Sequence, residues 1–82
     1  MQRTLADLQP HESSRIRTVT GMDGVSQRLF ELGFTAGQVV RVVRMAPLGD
    51  PMQVRIRGFD LAVRLAEARR VVVEPIETAS HE

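Results

Sequence analysis

The ten residues Arg28-Leu29-Phe30-Glu31-Leu32-Gly33-Phe34-Thr35-Ala36-Gly37 constrain this chain more than any other stretch. They describe a short helix halted at a glycine, an aromatic that folds back, a turn, and then the valine-rich run Val39-Val40-Arg41-Val42-Val43. Met22, Val25, Leu29 and Leu32 follow at spacings of three, four and three. That places them on one face of an amphipathic helix over about residues 23–32, with the stripe turned to the core. Asp23 suits the N-cap or first turn. Gly33 sits where a left-handed terminating residue belongs, and Phe34 then meets Leu29 in the hydrophobic contact of a Schellman ending. Phe30 lies off the stripe, on a flank at least partly wet.

Around this junction the chain reads as short strands and tight turns. Thr4 to Leu8 is either one helical turn capped by Thr4 or a lead-in whose Leu5 and Leu8 plug the core. Pro10-His11-Glu12-Ser13 is turn chemistry. Ser14 to Thr20 is a strand with Ile16 inward and Arg15 and Arg17 outward, and Val19 breaks the period of two in a way that predicts a bulge or a strong twist there. A second strand runs from Gln38 to about Met45, where the odd spacing of Arg41 and Arg44 puts them on opposite faces. Pro47-Leu48-Gly49-Asp50-Pro51 must be a connection, because two prolines and a glycine do not sit inside paired strands. Gln53 to Gly58 alternates, with Val54 and Ile56 on one side and Gln53, Arg55 and Arg57 on the other. Gly58-Phe59-Asp60 is read as a turn, Leu61 to Leu65 as a strand, Ala66-Glu67-Ala68 as a single helical turn, and Arg70 to Glu74 as the last strand, ended by Pro75. Five short strands with one inserted helix are too few to lie open with both edges bare, so the expected fold is mainly β, a small SH3-like five-stranded barrel. The expected domain covers residues 1–77, with a disordered tail at 78–82.

Composition narrows the chemistry. A chain of 82 residues makes one small domain, and with no cysteine it has neither disulfide nor thiolate metal site to staple it. The net charge is +1, and all eleven basic residues are arginine, too small an excess to drive nucleic-acid binding by bulk electrostatics. The N-terminus lacks the apolar run of a secretory signal, and no stretch approaches the roughly 18 apolar residues of a membrane span. A soluble, cytoplasmic protein without direct membrane insertion is expected. No nucleophile motif or glycine-rich phosphate cradle appears, so no enzyme and no catalytic residue are expected. His11 and His81 stand alone, without a second histidine at ligand spacing or a carboxylate cluster, and neither metal site nor cofactor is assigned.

Five pieces in order carry a resemblance: Leu5-x-x-Leu8-x-Pro10, Arg28-Leu29-x-Glu31-Leu32-Gly33-Phe34-x-x-Gly37, Ala46-Pro47-Leu48-Gly49-Asp50-Pro51, Gly58-x-x-Leu61-Ala62-x-Arg64, and Glu67-Ala68 before the final strand. Together they resemble the FeoA family, small cytoplasmic proteins associated with the FeoB ferrous-iron permease; a related SH3-like domain ends some iron- and manganese-dependent transcriptional repressors. His11 departs from the family's usual glycine, and Val63 from a common leucine. The resemblance implies an SH3-like module that docks on the cytoplasmic portion of a GTP-binding permease and modulates ferrous-iron uptake.

The residues expected to meet a partner are Arg28, Leu29 and Phe30 on the helix and Met45, Leu48 and Met52 around the proline-flanked loop, whose methionines would form an adaptable apolar patch. Arg28 is also the arginine that a GTP-hydrolysis partner could donate. Gly33, Phe34, Gly37, Pro47, Gly49, Pro51 and Gly58 are assigned to structural turns. Weak self-association is a further partner class. The alternative functions are an SH3-like module working in trans with a metal-dependent repressor, which would need a separate DNA-binding partner, and an RNA-binding small barrel. The near absence of aromatics and the opposed Arg41 and Arg44 argue against RNA.

Overall fold

The computed structural model describes residues 2–76, so the expected tail at 78–82 lies outside the described residues. Nine elements follow one another: β1 (Arg3–Thr4), a 3₁₀ turn (Leu5–Asp7), β2 (Ser13–Val19), α1 (Gly24–Glu31), β3 (Val39–Met45), β4 (Met52–Ile56), β5 (Phe59–Val63), α2 (Leu65–Ala68) and β6 (Val71–Glu74). The strands form one antiparallel sheet in the order β1-β6-β2-β3-β4-β5. This is the SH3-like architecture expected, with β1 as a sixth strand; among the described residues no ladder joins β1 to β5, so the barrel is curled but not closed.

The start of the chain does both things its sequence allowed. Asp7 Oδ2 accepts from the Thr4 backbone N–H at 2.8 Å, setting the 3₁₀ turn, and Leu5 and Leu8 are buried beneath it. His11 takes a positive φ of 72°. It adopts the conformation glycine would supply, and its N–H still donates to the Val42 carbonyl at 2.7 Å. The turn is kept, at a cost of about 1 kcal/mol in backbone strain.

α1 starts and stops as its sequence predicts. Asp23 is the N-cap, its carboxylate accepting from Ser26 N–H at 3.3 Å. At the far end Gly33 has φ 108°, its N–H donates to Phe30, and Phe34 N–H reaches back to Leu29, each at 3.0 Å. These two bonds are the Schellman pair, and Leu29 and Phe34 are both fully buried. The rest of the stripe fares differently. Met22 is fully exposed, because the extended backbone of Asp23 (φ −107°, ψ −172°) precedes the helix and breaks the helical phase. Val25 is half-buried, and Leu32, at the C-cap, is partly exposed.

The core joins Leu5, Leu8, Ile16, Leu29 and Phe34 to the inward residues of β3, β4, β5 and β6. Two bulges set the twist of the sheet. One falls between Ile16 and Thr18, slightly before the Val19 position expected. The other places Val43 as an extra residue between the Val42–Val54 and Arg44–Gln53 pairs. The β4–β5 connection also differs from expectation: Ile56 pairs directly with Phe59, leaving a two-residue turn of Arg57 (φ 55°) and Gly58 (φ 83°). Positive φ at both positions is the demand of the tight hairpin turn that suits strand twist. Phe59 therefore opens β5 and is 69% exposed rather than serving a turn, and Arg57 belongs to the turn, with its side chain lying across Gly33.

Candidate functional site

Two surfaces gather the residues singled out by sequence. The first flanks α1. Phe30 is 55% exposed and Met22 stands beside it; with Val19, Gly21, Asp23, Ser26 and Gln27 they edge a depression of about 260 Å³. Leu29 is not part of this surface. It is fully buried, because the Schellman ending turns it onto Phe34. Arg28 is half-exposed but engaged, its guanidinium forming an ion pair with Glu67 of α2. A second ion pair ties the other end of the helix, where Arg70, just before β6, meets the Asp23 carboxylate. Arg70, together with the Ser26 N–H, holds the Asp23 pKa down to about 2. Both ends of α1 are thus tied by charge to the α2–β6 segment.

The second surface surrounds the β3–β4 loop. Ala46 N–H donates to Pro51 at 2.9 Å and Gly49 N–H to Ala46 at 2.7 Å, so the loop is internally bonded; the Asp50–Pro51 peptide is cis. Asp50 accepts from the Leu65 N–H at 3.1 Å, joining the loop to the start of α2. Leu48 at the tip is 95% exposed. Beside it Met45, Ala46, Pro47, Pro51 and Ala62 line an apolar depression of about 430 Å³, with Arg44 and Gln53 at its polar side. Met45 is half-buried there, but Met52 is fully buried, paired with Val63 on the inner face, and so gives the loop no exposed apolar patch.

The largest departure from sequence reasoning lies on the outer face next to this loop. The Val43 bulge rephases β3, so Arg41 and Arg44 are both exposed on the same side. Arg41 stands directly opposite Arg55, Arg44 opposite Gln53, and Asp60 on β5 opposite Arg55. Asp60 is clasped by Arg55 through two bonds of 2.6 and 3.1 Å, and Gln53 donates to it at 3.3 Å. The bond with Arg55 holds the Asp60 carboxyl below its usual range, with a smaller contribution from Arg44. Arg44 donates through Nε to the Gln53 side chain at 2.8 Å. Spacing along β3 alone could not reveal this cluster, because the extra residue is defined only by pairing with β4.

No group of three or more His, Asp or Glu side chains placed to hold a metal occurs among the described residues. No helix among them is long and apolar enough to cross a membrane.

A bent six-stranded antiparallel sheet with one helix inserted before β3 defines the class, an SH3-like domain. The chain belongs to the FeoA family: the FeoA domain matches residues 3–75. It is 32% identical over 74 residues to the Fe(2+) transport protein A/Fe(2+) transporter FeoB fusion protein of Porphyromonas gingivalis, covering 90% of this chain and 9% of that protein. The crystal structure of Stenotrophomonas maltophilia FeoA complexed with zinc superposes with a TM-score of 0.79 at 38% identity, over 88% of this chain and 89% of that one. A manganese-dependent transcriptional repressor shares the fold alone, with a TM-score of 0.81 at 13% identity over 92% of this chain and 42% of that one. The family is associated with ferrous-iron transport.

Proposed function

We propose that this chain is an accessory and regulatory protein of ferrous-iron uptake that acts by touching the cytoplasmic portion of a FeoB-type permease, and that it works in the cytoplasm at the inner face of the membrane. The observation that carries this reading is the fusion relative, in which a domain 32% identical over 74 residues shares one polypeptide with a ferrous-iron transporter. Covalent linkage of two modules raises their effective concentration toward the millimolar range, and this matters for modules that meet. Such an encounter is carried by surface contacts. Phe30 and Leu48 supply exposed apolar anchors for it. Contact through Arg28 would first have to release Glu67, and this argues against Arg28 as a donated arginine in GTP hydrolysis.

The test is direct binding of the purified chain to the purified cytoplasmic portion of the permease on a biosensor, paired with ferrous-iron uptake in cells with and without the chain. Saturable binding that a Phe30→Ser or Leu48→Ser variant weakens supports the reading. Absence of binding, with uptake unchanged by deletion, overturns it.

A further inference from the structure

The outer face of β3–β4–β5 carries an electrostatic arrangement that folding alone does not favour. Arg41 and Arg55 face each other across the β3–β4 ladder, and like charges directly opposite destabilise a strand pair. The face carries three arginines and one carboxylate, Asp60, which accepts hydrogen bonds from Arg55 and Gln53. Arg41 has no ion-pair partner among the described residues. The Asp60–Arg55 clasp shows what this face accepts, a carboxylate held by a guanidinium fork.

Three further observations define the ligand. The Arg41–Arg55 row and the Arg44–Gln53 row are two residues apart on β4, roughly 7 Å, which is also the spacing of alternate side chains in an extended peptide. The Arg44 row ends at the apolar depression of about 430 Å³ lined by Met45, Pro47, Pro51 and Ala62, so an acidic run ending in one apolar side chain would meet arginine and then a pocket. The face presents no aromatic: Phe34 is in the core, Phe30 is on α1, and Phe59 pairs with Ile56 on the opposite side of the strand. Single-stranded nucleic acid, whose bases need stacking platforms, is therefore a poorer fit than a peptide.

We infer that this face is a docking surface for an extended acidic segment of a protein partner, whose carboxylates meet Arg41 and Arg44 beside the Asp60-clasped Arg55 and whose neighbouring apolar side chain fills the depression beside the β3–β4 loop. The inference rests on the reading that the chain works by contact with the permease, and assigns that contact a surface. A partner carboxylate placed between Arg41 and Arg55 removes their mutual repulsion, so binding and local stabilisation go together.

The test uses a fluorescein-labelled peptide that alternates glutamate with threonine and ends in leucine, a counterpart with glutamine for glutamate, and a labelled oligouridylate. The acidic peptide should bind saturably and more weakly as ionic strength rises, shifting backbone amides of β3, β4 and β5 in NMR spectra. Arg41→Glu should weaken it about tenfold, whereas Arg69→Glu, an equal charge change on the exposed end of α2, should leave it unchanged. Equal binding of the glutamine peptide, full affinity in Arg41→Glu, or tighter binding of the oligouridylate would overturn the assignment. The same variants against the permease portion separate the two claims. Capture of the wild type with undiminished capture of Arg41→Glu removes this surface but leaves the function standing. Peptide binding at this face without permease capture does the reverse.

Discussion

The ending of α1 and the outer face of β3–β4–β5 are built on opposite electrostatic terms. At the helix the charges close on themselves: Asp23 takes Arg70, Arg28 takes Glu67, and the last helical carbonyls, those of Leu29 and Phe30, accept from the Phe34 and Gly33 N–H groups. On the sheet face the charges are left in excess, with Arg41 set against Arg55 and one carboxylate among three guanidinia. The first arrangement locks a small fold together. The second leaves attraction unspent, available to something outside the chain. In so small a domain, the region that contributes least to folding is the better place to look for binding.

The comparison breaks most sharply at Phe34. Phe34→Ala empties a fully buried site and should cost about 3–5 kcal/mol, comparable to the whole stability expected of a domain this size. Loss of the cooperative thermal transition in circular dichroism is the expected outcome; a well-folded variant would show that the Schellman junction is not the keystone of the core. Gly33→Ala should cost about 1–3 kcal/mol, read as a lowered urea midpoint, because φ of 108° is strained for any side chain and a Cβ would come within 2.8 Å of the Arg57 side chain.

A third test concerns acid. Asp23 titrates near 2 in the folded chain and near 4 when unfolded, so its contribution is fully present above about pH 4 and is lost as the pH falls toward 2. The wild-type urea midpoint should decline across that window. Asp23→Asn, which keeps a capping side chain but loses the charge facing Arg70, should be less stable than wild type at neutral pH and should flatten part of the decline. Glu12 and Asp60, also lowered by their arginine partners, sustain the remainder. The smallest effect is expected on the sheet face. Arg41→Thr should raise the urea midpoint slightly by removing the like-charge pair, while weakening the acidic peptide; a lowered midpoint would mean that Arg41 serves folding after all.

What could be read from the sequence followed the range of the interactions involved. Helix capping, the Gly33 stop and the return of Phe34 onto Leu29 are local, set within a dozen residues, and were legible as a string. Met22 was misplaced because periodicity was counted through the cap, where the backbone is extended. Phe59 was assigned to a turn because a two-residue turn here asks an arginine, Arg57, to take positive φ, which composition does not advertise. Leu29 and Met52 were offered as surface residues, yet burial depends on what the rest of the sheet lays over them. The arginine cluster was hidden altogether, since the odd spacing of Arg41 and Arg44 means opposite faces in a regular strand and the same face in a bulged one.

That single surplus residue in β3 works as a phase shifter. A relative that carried identical arginines but lacked the insertion would turn one of them toward its own interior, so matching letters in an alignment need not mean matching surfaces. Partner choice in such domains can then drift by the gain or loss of one valine, with every charged residue unchanged.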